Sequence, residues 1–193
     1  MLDLAAQKSR ARPFAGRQLA IESGQVDISP APVAARFSLR CRPEHVDAFG
    51  EIFVPLPVSA CRATVVGARA ALWLGPDEWL LLAEDGTQDA VREAFASIAH
   101  ATFSLVDISH RDIGISVAGP AAAEVLSGGC PLDLNPDVLS AGSCTRTLFG
   151  KCEIVLWRPS AQEFRIYFGR SYADYVWRLL DAACADVATS LRA

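Results

Sequence analysis

Ala70-Ala-Leu-Trp-Leu-Gly-Pro-Asp-Glu-Trp-Leu-Leu-Leu-Ala83 is a pair of apolar runs broken by Gly75-Pro-Asp77. Apolar, aromatic-bearing residues on both sides of such a turn read as a β-hairpin. The same signals return in Glu153-Ile-Val-Leu-Trp157 and Glu163-Phe-Arg-Ile-Tyr-Phe168. Trp73 and Trp157 are 157 − 73 = 84 apart, Gly67 and Gly150 are 150 − 67 = 83 apart, and Val91 and Val176 are 176 − 91 = 85 apart. The chain therefore reads as built twice.

Working outward from the hairpins, each copy shows the same order. In the first, Phe37-Ser-Leu-Arg40 meets Pro43, a helical stretch Glu44–Phe49 and a Pro-rich loop, and Cys61–Gly67 precedes the hairpin. A helix near Gln88–Ala99 follows, with Val91, Ala94, Phe95, Ile98 and Ala99 on one stripe. In the second, Ile115–Ala118 meets Pro120 and the helical Ala121–Leu126; Cys144–Leu148 precedes the hairpin, and a helix runs from Ser171 to about Ala185. Thr102–Asp107 and Ile113–Ala118 read as two strands joined by a polar corner. The fold class is α+β: two pseudo-symmetric strand–helix–strands–helix halves, 33–101 and 102–187, in one compact duplicated domain. Units that each leave an apolar face open must pair to bury it, sheet to sheet or edge to edge. Residues 1–32 are expected as an extended arm, with Ser29-Pro-Ala-Pro-Val33 a stiff connector, and 188–193 as a frayed tail.

Composition narrows the function. The chain is 51% hydrophobic and 21% charged, with a mean hydropathy of +0.23. An apolar excess without a long apolar run implies surface buried against something else. No stretch reaches the roughly 18 uninterrupted apolar residues of a membrane helix. Lys8, Arg10, Arg12 and Arg17 precede no signal-peptide core, so export is not expected and the cytoplasm is. A net charge of −4 argues against non-specific nucleic-acid binding. Six scattered cysteines without a C-x-x-C pair, and only three histidines, read as reduced buried thiols rather than a metal site.

No residue set here is suited to run a reaction. Ser109, His110 and Asp112 are the most tempting, but neighbouring strand residues point to opposite faces, so Ser109 and His110 do not converge. Ser109 and Asp112 are expected to cap backbone groups at the corner, and His110 and Arg111 to meet a partner. His45 and His100 read as helix-end or surface residues, and Asp77 and Glu78 as turn residues. Ser127-Gly-Gly129 follows a helix, as a helix C-terminus does, and is no phosphate cradle. Trp73 and Trp157 are expected as matched core positions, and Trp79 and Trp177 as interface anchors.

Several runs also carry a resemblance. Leu105-Val-Asp-Ile-Ser-His-Arg111, Val117-Ala-Gly-Pro120 and Gly129-Cys-Pro-Leu-Asp-Leu134 resemble the gamma-subunit family of heterotetrameric sarcosine oxidases, as do Leu74-Gly-Pro-Asp-Glu-Trp-Leu-Leu-Leu82 and Cys144–Trp157. The layout is more distantly similar to the folate-binding module of glycine-cleavage aminomethyltransferases, through Asp107-Ile-Ser109 and Val117-Ala-Gly-Pro-Ala121. That family's pterin-contacting carboxylate falls on Arg165 in Glu163-Phe-Arg-Ile166. A guanidinium has donors and no acceptor, so the resemblance implies a kept fold and a lost folate site.

The resemblance implies a subunit of an enzyme that demethylates sarcosine to glycine, passing the one-carbon unit to tetrahydrofolate or releasing formaldehyde. FAD, FMN, NAD and tetrahydrofolate are then held by the alpha, beta and delta partners. This chain would hold none of them and would serve assembly, with a wall of the one-carbon path as a further role. An independent folate-binding module or one-carbon transferase is the alternative from another class, and a free-standing homodimer is a third.

Overall fold

The computed structural model describes residue 14 and residues 16–21, 24–98 and 101–192. Eleven strands and four α-helices make up these residues. The strands are β1 (Leu19–Ile21), β2 (Val26–Pro30), β3 (Ala34–Cys41), β4 (Ala63–Val66), β5 (Arg69–Gly75), β6 (Glu78–Glu84), β7 (Phe103–Asp107), β8 (Asp112–Ala118), β9 (Cys144–Phe149), β10 (Cys152–Ser160) and β11 (Glu163–Gly169). The helices are α1 (Val46–Ile52), α2 (Gln88–Ala96), α3 (Ala122–Ser127) and α4 (Ala173–Ser190).

They form two antiparallel sheets, ordered β1-β2-β8-β11-β10-β9 and β4-β5-β6-β3-β7. Read from one end, β2-β8-β11-β10-β9 and β7-β3-β6-β5-β4 match position for position. Each half therefore gives its leading strand to the other half's sheet: β2 pairs with β8, Ile28 opposite Val117, and β7 pairs with β3, Leu105 opposite Leu39. Pairing is non-local here, so adjacency in sequence misplaces both strands. Residues 19–30, expected within an extended arm, are two strands of the six-stranded sheet. Phe103–Asp107, expected at the head of the second half, belongs to the five-stranded sheet of the first half.

Three cores hold the layers. Phe37, Leu39, Trp79 and Leu81 pack with Phe49, Val91 and Phe95 under α1 and α2. The Phe49 and Phe95 rings stack with centroids 5.1 Å apart. Ile115, Leu156, Phe164 and Ile166 pack with Val125, Leu126, Val176 and Leu180 under α3 and α4. Between the sheets, Ala70, Leu72, Leu80 and Leu82 meet Cys144, Trp157 and Tyr167. The order is helix, sheet, sheet, helix. The helix α4 runs past the expected end because Val187 is still buried, so 188–190 are helical rather than frayed.

The repeat offset is set by the turns. Gly67 and Gly150 both sit at φ +58° in two-residue hairpin loops, the first central position that favours glycine in a type II′ turn. Counting 83 from there matches Trp73 to Leu156, not to Trp157. A one-residue slip on a strand reverses the face. Trp73 accordingly packs against the helix-side core of the first half, whereas Trp157 lies between the sheets. The tryptophans are not equivalent.

Candidate functional site

The polar region of the molecule lies where the sheets part. A cleft of about 540 Å³ opens there, with Glu78, Arg111, Asp112, Arg146, Glu153 and Tyr167 among its lining. Glu78 is the first residue of β6 and lies opposite Arg40 on β3. Arg40 Nη2 donates to its Oε2 at 2.8 Å. From the other sheet, Arg146 Nη2 donates to Glu78 Oε1 at 2.7 Å, so one carboxylate ties β3, β6 and β9 together. Burial alone would push the Glu78 carboxyl up; the Arg146 hydrogen bond and the charges of Arg146, Arg40 and Arg111 outweigh it and hold it below its ordinary value.

The remaining charges are also matched. Arg146 Nε lies 3.6 Å from Glu153 Oε1. Arg111 Nε donates to Asp112 Oδ1 at 2.8 Å. Burial pushes the Tyr167 hydroxyl pKa up, despite the neighbouring guanidinium charges of Arg165 and Arg36, and Arg36 lies over its ring at 5.5 Å. Every carboxylate among the named lining residues has an arginine. Such a network is suited to clamping two sheets.

The four residues designated from sequence as partner contacts divide in two. Trp79 is 1% exposed and its Nε1 donates to the Pro57 carbonyl at 2.9 Å, so this ring anchors its own core. Trp177 is 9% exposed, stacked on Phe14 at 5.1 Å with Arg17 over it at 5.9 Å. Residues of the expected arm have taken the surface that an outside partner was expected to use. His110 and Arg111 are exposed and sit together with Arg170 beside the cleft mouth.

The corner between β7 and β8 is a cap. Ser109 is 4% exposed; its Oγ accepts from the Arg36 N–H at 2.9 Å, and its own N–H donates to Asp107 Oδ1 at 2.9 Å. Asp107 rather than Asp112 shares the capping, because the Asp112 carboxylate is held by Arg111. Ser109 is buried and His110 exposed, so they do not meet. Gly128 caps the C-terminus of α3, and a Cβ on Gly129 would lie 2.6 Å from the Phe149 ring. His45 is half-buried at the start of α1; His100 lies outside the described residues.

Arg165 tests the folate expectation. It lies on β11 opposite Trp157 and Ser116. Its Nε donates to Glu163 Oε1 at 2.7 Å, and its guanidinium lies 5.1 Å from the Trp157 ring centroid. The nearest carboxylate, Glu163, also accepts from Ser116 Oγ at 3.1 Å. An engaged carboxylate and a donor-only guanidinium do not fit a pterin that must donate. Sequence reading missed the Glu78–Arg146 tie, whose only signals were the single charge of β9 and a glutamate at the head of β6, which has another, Glu84, at its end.

The model of the sarcosine oxidase gamma subunit family matches residues 46–186. Sarcosine oxidase subunit gamma of Corynebacterium sp. (strain P-1) is 32% identical over 130 residues, 67% of this chain and 63% of that protein. The subunit gamma of Corynebacterium sp. (strain U-96) is 34% identical over 120 residues, 61% and 57%. The chain thus spans about three fifths of the length of the curated relatives it matches. A chain of the heterotetrameric sarcosine oxidase from Corynebacterium sp. U-96, solved with pyrrole 2-carboxylate, superposes with a TM-score of 0.81 at 27% identity, covering 93% of this chain and 96% of that one. Glycine cleavage system aminomethyltransferase T from Bartonella henselae shares the fold, at a TM-score of 0.61 and 14% identity over 79% of this chain and 44% of that one.

Proposed function

The chain belongs to the sarcosine oxidase gamma subunit family, and on that premise we propose that it is a non-catalytic accessory subunit of a heterotetrameric sarcosine oxidase. The enzyme as a whole demethylates sarcosine to glycine in the cytoplasm, with the one-carbon unit passed to tetrahydrofolate or released as formaldehyde. The alpha, beta and delta subunits are its partners, and FAD, FMN, NAD and tetrahydrofolate belong to them. One observation carries this reading: nearly the whole chain superposes on nearly the whole of one chain of a solved heterotetrameric sarcosine oxidase. The charge-matched cleft supports it, because a clamp between the sheets gives the rigidity that assembly needs.

A tagged chain expressed in its native host should co-elute with flavin-bearing partners, and its deletion should lower oxidase activity. Elution as a single chain, with oxidase activity indifferent to the deletion, overturns the reading. An independent folate-binding module is the second reading, favoured by the cleft of about 540 Å³ and opposed by Arg165. Calorimetry of the isolated chain with tetrahydrofolate separates the two, since micromolar binding belongs only to the second.

A further inference from the structure

We propose that the outer edge of β7 docks an extended segment of a partner subunit, which joins the five-stranded sheet as an antiparallel sixth strand. The inference rests on the accessory-subunit reading and adds to it a place and a mode of contact. The two sheets correspond strand for strand except at one end. Outside β2 lies β1, with Leu19 opposite Ile28 and Ile21 opposite Val26. Outside β7, the counterpart of β2, no strand lies among the described residues.

The backbone there faces outward. The Ile108 N–H donates to the Arg36 carbonyl at 2.8 Å, which continues the β3–β7 ladder as a hydrogen-bonded pair. Antiparallel pairs alternate, so Ser38/Val106 and Arg40/Ser104 are bonded while Phe37/Asp107, Leu39/Leu105 and Cys41/Phe103 are not. The N–H and C=O groups of Phe103, Leu105 and Asp107 therefore point away from β3. Protected edges are short, charged, bulged or covered. β7 is five residues long without Pro or Lys, its one charge, Asp107, is neutralised by Arg92 at 2.8 Å, and Val106 is 52% exposed. By contrast β1 has three residues, and the ends of β4 and β9 are tied by a bridge at Arg62 and Ser143, where Cys144 N–H donates to the Cys61 carbonyl and Ala63 N–H to the Gly142 carbonyl.

The covered edge shows what the open one would take. Under β1, Val26 and Ile28 are 1% and 0% exposed. By register, Ile28 opposite Val117 corresponds to Phe103 opposite Cys41, and Phe103 is only half-buried. The occupant is thus an extended segment of at least three residues with apolar side chains at alternate positions facing the helix layer, as in Leu19-Ala-Ile21. A second copy of the chain suits this edge poorly. Antiparallel pairing of β7 with itself about Leu105 would place Phe103 of one copy opposite Asp107 of the next, and Asp107 is held by Arg92 at 2.8 Å.

Amide exchange resolved residue by residue, on the isolated chain and on the intact tetramer, tests this. The Leu105 and Asp107 amides should exchange freely in the isolated chain and slow by about 100-fold or more in the tetramer. The Ser104 and Val106 amides, bonded to β3, should be protected in both. Unchanged exchange at Leu105 and Asp107 in an assembled tetramer overturns the proposal and leaves the subunit reading standing. Protection already present in the isolated chain overturns it too: if concentration-dependent, a second copy is the occupant, and if not, the chain covers its own edge. Failure of the tetramer to form refutes the subunit reading, and the edge proposal falls with it.

Discussion

Glu78 ties the two sheets through polar contact, since its carboxylate accepts from Arg40 and from Arg146 across the cleft. Its folded pKa lies below the ordinary value, so its contribution is complete above the unfolded pKa near 4.3 and is lost as pH falls through the lower folded value. Glu78→Gln should therefore reduce stability by about 1 kcal/mol at neutral pH, the scale of solvent-screened pairs, with the gap to wild type closing in acid. Thermal unfolding of both proteins at about pH 7 and about pH 3 checks it, and a gap independent of pH would remove the charge argument. Ser109→Ala should be harsher, about 1–3 kcal/mol in urea unfolding, because the buried Arg36 N–H loses its acceptor. The thiols divide as sharply. Burial pushes Cys41, Cys152 and Cys184 up to about 11 and Cys144 to about 12, whereas Cys61 is exposed. A maleimide should label one thiol per native chain, at Cys61, and comparable labelling of Cys144 would contradict the packing. At this scale the sequence was a partial guide. Ser109 reads as a cap because a small hydroxyl at a polar corner has few other uses, but nothing local tells whether Trp79 meets its own core or another chain.

The hairpins show which signals survive the step from sequence to element. A positive-φ turn glycine is fixed by backbone sterics and marks register to the residue, whereas a tryptophan only marks a well-packed place. That is why the glycine spacing of 83 holds and the tryptophan spacing of 84 puts Trp157 on the wrong face. The equivalent turns also make a controlled pair. At Gly67 a Cβ meets nothing within 4 Å, whereas at Gly150 it collides with the Tyr175 hydroxyl and lies 2.7 Å from Leu179 Cδ2. Gly67→Ala should lose only the left-handed backbone preference, about 1 kcal/mol. Gly150→Ala should lose that plus an overpacking term, about 2–4 kcal/mol in all, and disturb the Tyr175 hydroxyl that accepts from Lys151 N–H. Urea midpoints with unchanged m-values check the pair, and equal losses would show that α4 yields at no cost. The short strands β1 and β2 escaped notice for a different reason. Three and five residues with a proline at the end carry little periodicity, and the strand that ties them to the sheet, β8, lies beyond the whole first half.

At the scale of the molecule, exchange of the leading strands turns two similar units into one cooperative body. The sheet of β3–β7 draws on one continuous stretch, 34–107, whereas the other sheet draws on 19–30 and 112–169. Removing residues 1–30 should therefore damage the half that lies furthest along the chain. It takes away Phe14, Ile21, Val26 and Ile28, each at most 7% exposed, and bares the edge of β8 beside Ile115 and Val117 together with one face of Trp177. At about 1.5–3 kcal/mol for each buried apolar side chain, an upper estimate because the unfolded chain is itself partly collapsed, the loss is roughly 6–12 kcal/mol. That approaches the roughly 5–15 kcal/mol that holds a whole domain. A chain starting at Ala31 should be insoluble, or lack a cooperative thermal transition, and a peptide of residues 14–30 supplied during refolding should restore the transition. An independent arm would behave otherwise: the shortened chain would melt at the temperature of the intact one, and the peptide would change nothing.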